Sequence, residues 1–360
     1  MAGRGSRYGY QGYRGRGTGR SVLIFIILLL AVLFIAGVVF MAVMGDYISY
    51  TEHGMEINWP WRDQEASAPP EITDPVVIDT GDSIVTIEPS SDPTPAPIHY
   101  EPLAAVTVTA DQLRYGTAAQ MVTDAGGNTL VVEMKANNGK LAWQSQTELA
   151  GTLNVNAANN GVADAIQELA QDGDLYLVAR VHCFKDPVLA SAWIGTLMSQ
   201  RGRIWYDYYG VSWSSPANQE AADYVSALCL ELADMGFDEI LLDDVGYPCW
   251  GEVYALATDE NCPEDRTIPV SSFLQRIARE LREKNVILSV YAYEELLPDE
   301  EVFSGMTTIV LAQSAGRVWL DNYVDRAYYE EILTAVGIDN LAARLVAPVD
   351  DAAEGGSWYR

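Results

Sequence analysis

The chain reads as α/β: a (β/α)8 TIM-like barrel, preceded by one transmembrane helix and a disordered linker. Three observations carry this. An uncharged apolar stretch runs from Ser21 to Met44, a segment rich in Pro, Ser, Thr and acids follows, and short buried-type strands then alternate with helices to the end of the 360 residues. Buried strands alternating with helices mean a parallel sheet, and six or more within about 250 residues favour closure into a barrel.

Residues 1–20 form a Gly/Arg-rich tail with Arg4, Arg7, Arg14, Arg16 and Arg20 and no acid. The 24 uncharged residues of 21–44 exceed the roughly 20 needed to span a bilayer core. They are also too long for the ~7–15-residue core of a signal peptide, and Val43-Met44-Gly45 is a poor cleavage site. Arginines ahead of the span and Asp46, Glu52 and Glu56 behind it place the N-terminus in the cytoplasm and the rest outside, at the cell membrane with a single pass. The lipid bilayer is thus one expected partner, through residues 21–44, and the arginines meet its anionic head groups. Residues 45–102 read as an extracellular, largely disordered linker, though Val76–Ile78 and Ile84–Ile87 can pair as a small hairpin.

Residues 103–360 are the expected barrel. Strand-like runs appear at 104–109, 129–134, 175–181, 240–242, 286–292, 308–312 and 344–347, and helices at 118–123, 163–171, 187–200 and 217–235. The last of these carries Ala221, Tyr224, Val225, Leu228 and Leu232 at helical spacing, and Gly236 stops it. The run Ile240-Leu241-Leu242 that follows is typical of a parallel strand buried on both faces, and it ends in Asp243 and Asp244. These acids belong at the carboxyl rim, where barrels build active sites. Side chains alternate along a strand, so one of the two should enter the barrel mouth and the other point sideways.

The net charge is −28, near −33 for the part beyond the span, which excludes nucleic acid as a partner and suits neutral or amino-bearing glycans. Cys183, Cys229, Cys249 and Cys262 lack zinc-ligand spacing; Cys249 and Cys262 flank a loop and are free to bridge, whereas Cys183 and Cys229 suit the core. There is no phosphate-binding glycine loop, nucleophile elbow, HExxH or calcium-loop signature, so neither cofactor nor metal is expected. With only His53, His99 and His182, a histidine base is not expected either.

Acids at strand ends beside aromatics are the equipment of glycoside hydrolysis, in which one carboxyl protonates the leaving oxygen and another attacks or activates water. The candidate catalytic residues are Asp243 and Asp244 as acid and Glu294 as partner, with Glu133 and Asp186 as other choices. Lys135, Arg180 and Lys185 are candidates to bind substrate or tune a carboxylate, although Arg180 equally suits a structural salt bridge. The segment Ile204–Trp213 and Trp250 supply flat faces for sugar rings, so Trp205, Trp213, Trp250 and Asp207 are candidate substrate contacts; core packing at the barrel end is the plainer reading.

Val131-Val132-Glu133-Met134-Lys135 with Gly139, then Arg180 to Pro187, Trp205 with Asp207, Trp213 with Pro216, and GFDEILLDDVGYP together resemble the glycosyl hydrolase-like TIM-barrel domain family of bacterial envelope proteins. The resemblance covers roughly residues 103–348, and its specific parts are the FKDP block (Phe184–Pro187) and the GFDEI block (Gly236–Ile240). It implies a (β/α)8 barrel related to enzymes that cleave polysaccharide, with Asp243 the better match for the acid. The chain departs from the family pattern where Glu133 stands for aspartate, Asp244 for tyrosine and Gly246 for arginine. The acidic pattern of chitinase-like barrels is not met, since Leu241 and Val245 fill two of its positions. Two functions are therefore in view: a membrane-anchored extracellular hydrolase of cell-wall or capsular polysaccharide, or a barrel that binds such glycan without cutting it.

Overall fold

The computed structural model describes residues 48–51, 54–57, 76–79, 84–87, 99–293 and 301–360. The chain divides into two units, Met1–Ala96 and Pro97–Arg360. In the first, β1 (Ile48–Thr51) pairs antiparallel with β2 (Gly54–Ile57), and β3 (Val76–Asp79) with β4 (Ile84–Ile87), the hairpin expected from its two β-branched runs. The apolar span 21–44 lies outside the described residues. Among the described residues no helix is long and apolar enough to cross a membrane.

The second unit is a closed barrel of eight strands in chain order, β5 (Ala104–Val108), β6 (Thr129–Lys135), β7 (Tyr176–His182), β8 (Glu239–Asp243), β9 (Ile287–Ala292), β10 (Arg317–Leu320), β11 (Leu345–Pro348) and β12 (Trp358–Tyr359), with β12 returning to β5. All its pairings are parallel. The connecting segments hold helices α1 (Ala110–Arg114), α2 (Ala118–Asp124), α3 (Glu148–Thr152), α4 (Gly161–Asp172), α5 (Pro187–Ser191), α6 (Gln219–Met235), α7 (Thr267–Glu283), α8 (Glu301–Ser304), α9 (Thr308–Ser314), α10 (Arg326–Ala335) and α11 (Leu341–Arg344).

Strand periodicity separates two cores. Ala105, Val131, Val178, Leu241, Tyr291, Trp319 and Val346 fill the barrel, while their neighbours, such as Val132, Ala179, Leu242, Val290 and Val318, pack outward against the helices. Low in the barrel this apolar filling gives way to one ion pair. Glu239, wholly buried, accepts from Ser289 Oγ (2.5 Å), Trp319 Nε1 (2.9 Å), Tyr176 OH (3.1 Å) and Arg317 Nη1 (2.5 Å). A buried carboxylate is tolerable only when its lone pairs are met in this way.

Two sequence expectations change and one strand is added. The run at 308–312 is helix α9, not strand: Thr307 caps it, its Oγ1 accepting from the Val310 amide at 3.2 Å, and the strand falls instead on Arg317–Leu320. The charge of Arg317 hid that strand in the sequence, and its partner Glu239 is what permits it. The helix expected over 187–200 ends at Ser191, because Trp193 and Gly195 both take left-handed backbone (φ 65° each). The two-residue strand β12, which closes the barrel, is too short for any periodicity to reveal.

Candidate active site

The carboxyl ends of β6, β7, β8 and β9 bring one ionic cluster to the barrel mouth. On β7, Arg180 and His182 share the inward face two residues apart, and the register sets His182 beside Asp243 of β8. Asp243, with no exposed side chain, is saturated: Oδ2 accepts from Arg180 Nε (2.8 Å) and from Arg180 Nη2, while Oδ1 accepts from Tyr293 OH (2.7 Å) and the Asp244 amide (2.8 Å). Arg180 also stacks on the Tyr291 ring, 4.4 Å from its centroid. Burial alone would raise the Asp243 carboxyl, but the charges of His182 and Arg180 and the bonds from Tyr293 and Arg180 outweigh it and hold the group below the usual aspartate range.

Asp244 does not point sideways. The strand ends at Asp243, and Asp244 turns left-handed (φ 49°), a conformation aspartate tolerates at a cost of about 1–2 kcal/mol. Its side chain is thereby returned to the mouth, where Oδ2 lies 2.6 Å from His182 Nδ1. Both acids therefore face one cluster, contrary to simple alternation. Burial pushes the Asp244 carboxyl up, and the neighbouring Asp243 charge pushes it further.

His182, which the sequence set aside, joins the two sides. Its Nε2 lies 3.2 Å from Glu133 Oε2 of β6, and Nδ1 is also 3.5 Å from Asp243 Oδ2. Burial opposes its charge, yet the Asp243 carboxylate and the bonds to Asp244 and Glu133 prevail and raise its pKa to about 9. The bond from His182 in turn lowers the Glu133 carboxyl. Three cations, Arg180, His182 and Lys185, thus act on the three carboxylates. Their environments push the carboxyls apart: Asp243 and Glu133 are held down and Asp244 is pushed up.

His182, Asp243 and Asp244 each offer a ligand atom within 4.8 Å of the others, the spacing of a cation site. In the structure the three are bonded to one another and to their neighbours. Both ring nitrogens of His182 face carboxylates and both oxygens of Asp243 are already engaged, so a cation binding here would have to displace the His182 ring from Asp244 or Glu133.

The other sequence candidates divide. Lys135 and Asp186 are not positioned as substrate ligands: Lys135 Nζ, wholly buried, lies 2.8 Å from Asp186 Oδ2 and donates to the carbonyl of His182 (2.7 Å). Asp186 Oδ1 meanwhile accepts from the Val188 and Leu189 amides, capping α5. Trp205 and Trp213 are buried, and Asp207, also buried, accepts from Trp213 Nε1 (3.1 Å) and lies 3.3 Å from Lys185 Nζ. The faces left open belong to Tyr206, Tyr208, Tyr209 and Trp250. Glu294 lies outside the described residues. Sequence reasoning missed His182, Tyr291 and Tyr293; the available signal was alternation, since Arg-x-His at the end of β7 and Tyr-x-Tyr at the end of β9 each put two polar side chains on the inner face.

Residues 103–305 match the family described as "Putative glycosyl hydrolase domain". No curated protein matches the chain. Among solved structures, a hypothetical protein from Ruminiclostridium thermocellum is 22% identical, with 51% of this chain and 96% of that one covered at a TM-score of 0.43. Catalytic domain 2 of the Ostrinia furnacalis Group II chitinase is 11% identical, covering 68% and 62% at a TM-score of 0.40. The α-galactosidase from Lactobacillus brevis is 12% identical, covering 73% and 37% at a TM-score of 0.47. The chain spans less than two thirds of either of these last two.

Proposed function

The chain belongs to the family described as "Putative glycosyl hydrolase domain", and from that premise we propose that its barrel hydrolyses an O-glycosidic bond in cell-wall or capsular polysaccharide. In this reading the apolar span 21–44 anchors the barrel outside the cell. The observation that carries the chemistry is a pair of carboxyls shifted in opposite directions across one imidazole, Asp244 raised and Glu133 lowered, the division of roles that an acid and a base need.

Asp244 gives its proton to the leaving oxygen as the glycosidic bond breaks. Glu133, whose side chain is half exposed, takes a proton from the water that attacks the anomeric carbon, so that one water is added across the bond. Asp243 is too fully bonded to attack; it holds Arg180 and His182 in place and keeps the cluster polarised. Glu133 and Asp244 sit on opposite nitrogens of one imidazole, so the His182 ring holds the two carboxyls apart and the sugar must lie across its outer edge to reach both.

The test is release of reducing ends from purified wall glycan by the intact chain. Asp244→Asn and Glu133→Gln are each expected to lower the rate at least 100-fold with the fold retained. A second reading, a barrel that holds glycan without cutting it, draws on the saturation of Asp243 and on a cavity beside Asp244 of only about 10 Å³, the room of a single water. Binding by the unaltered protein with no reducing ends released would favour that reading.

A further inference from the structure

We propose that the groove between the loops after β7 and β8 binds a glycan carrying spaced carboxylates, next to the mouth and distinct from the ionic cluster. The groove has a volume of about 790 Å³, within the range of small-ligand sites. Both loops follow strand carboxyl ends, so it opens on the same face as the cluster.

Its walls are cross-linked rather than loose. Gln200 Nε2 donates to the carbonyls of Tyr254 (2.9 Å) and Leu256 (3.3 Å), Trp205 Nε1 donates to the Glu252 carbonyl (3.0 Å), and Ser199 bridges to Leu256. A preformed groove loses little entropy on binding. Within it Tyr206, Tyr208 and Tyr254 are 54, 81 and 73% exposed and stand on one continuous wall. Flat faces with a hydroxyl at the edge suit the alternating apolar and polar sides of sugar rings.

Charge narrows the occupant. Residues 97–360 hold 16 Lys and Arg against 39 Asp and Glu. Even so, the groove presents the exposed guanidinium groups of Arg201 and Arg203, and neither forms an ion pair with a described residue. The acids there are Glu252 and Asp207, and Asp207 is already matched by Lys185. The domain's overall field repels a densely charged polyanion, whereas two free guanidiniums favour an isolated carboxylate. A glycan with an acid on alternate sugars meets both conditions. The groove also adjoins the mouth: Asp207, in its wall, accepts from Trp213, and Trp213 lines the small cavity beside Asp244.

This inference rests on the hydrolase reading only for the class of ligand, and binding is measured apart from cleavage. The probes are a hyaluronan tetrasaccharide, with a carboxylate on alternate sugars, and neutral N-acetylchitotetraose, titrated calorimetrically into the intact chain. The acidic probe is expected to bind at least tenfold more tightly. Arg201→Gln with Arg203→Gln should bring the two probes within about twofold, and Tyr254→Ala should weaken both about tenfold, with the thermal midpoint unchanged because these side chains are exposed. Equal binding of both probes, no binding of either, or arginine variants that keep the preference would overturn the proposal. Loss of cleavage in Asp244→Asn with no groove binding sinks this inference and spares the hydrolase reading; groove binding without cleavage does the reverse.

Discussion

His182 shows how one side chain sets the chemistry of three carboxylates. Its ring bridges Asp244 and Glu133 and is almost wholly enclosed, with 7% of the side chain exposed. A histidine whose pKa rises from 6.5 to about 9 on folding contributes stability that is fully present below about pH 6.5 and lost as the pH climbs through about 9. The unfolding free energy measured in urea should therefore fall across that window, by up to about 3 kcal/mol from this group. In His182→Gln the slope should flatten. Without the imidazolium, the Glu133 carboxyl loses the bond that lowers it, so the acid limb of the rate profile should move to higher pH. An unchanged slope and an unchanged limb would mean that the ring is neutral and does not lower Glu133.

The blocks that carried the family resemblance are joined by packing. Lys135 at the end of β6 reaches under the β7 loop to Asp186 and to the carbonyl of His182, while Asp186 caps α5. Gly139 completes the joint. Its φ is +80°, and a Cβ there would lie 2.5 Å from Asp186 Oδ1 and 2.8 Å from Val188 Cγ2. The spacing from Glu133 to Gly139 and the FKDP turn are thus one structural device that holds the end of β7, and with it His182, in position. Removing one member of a buried ion pair costs about 3–5 kcal/mol. Lys135→Met should fall near the lower figure, since two backbone amides still satisfy Asp186. Calorimetry reads that loss, and a change below about 1 kcal/mol would show that the pair contributes little. On the hydrolase reading proposed above, cleavage should fall with it, because the carbonyl that Lys135 grips belongs to the residue bridging the carboxylates.

Strands with long apolar runs, β6 to β9, could be read from sequence because burial on both faces leaves an unbroken hydrophobic signal. What could not be read depends on contacts between residues far apart in the chain. Arg317 looks unfit for a strand until Glu239 is seen 78 positions away, and Asp244 reads as a sideways residue until its left-handed backbone is known. Closure is the extreme case. β12 contributes two residues, yet Trp358 and Tyr359 stand between Ala347–Pro348 on one side and Ala104–Ala105 on the other. Their position is fixed by bonds on both edges: on the β5 side the Trp358 amide donates to Leu103, the Arg360 amide to Ala105 and the Thr107 amide to Arg360, and on the β11 side the Ala347 amide donates to Ser357 and the Val349 amide to Tyr359. Tyr359 OH also donates to the Leu320 carbonyl and lies 2.9 Å from Tyr291 OH, beside the ring that carries Arg180. A chain ending at Gly356 should consequently expose the edges of β5 and β11 and lose the support of the Tyr291–Arg180 stack. Hydrogen exchange should show protection falling first along β5 and β11, and the melting temperature should drop by more than 10 °C. Retention of native protection there would mean that seven strands hold the barrel shut without β12.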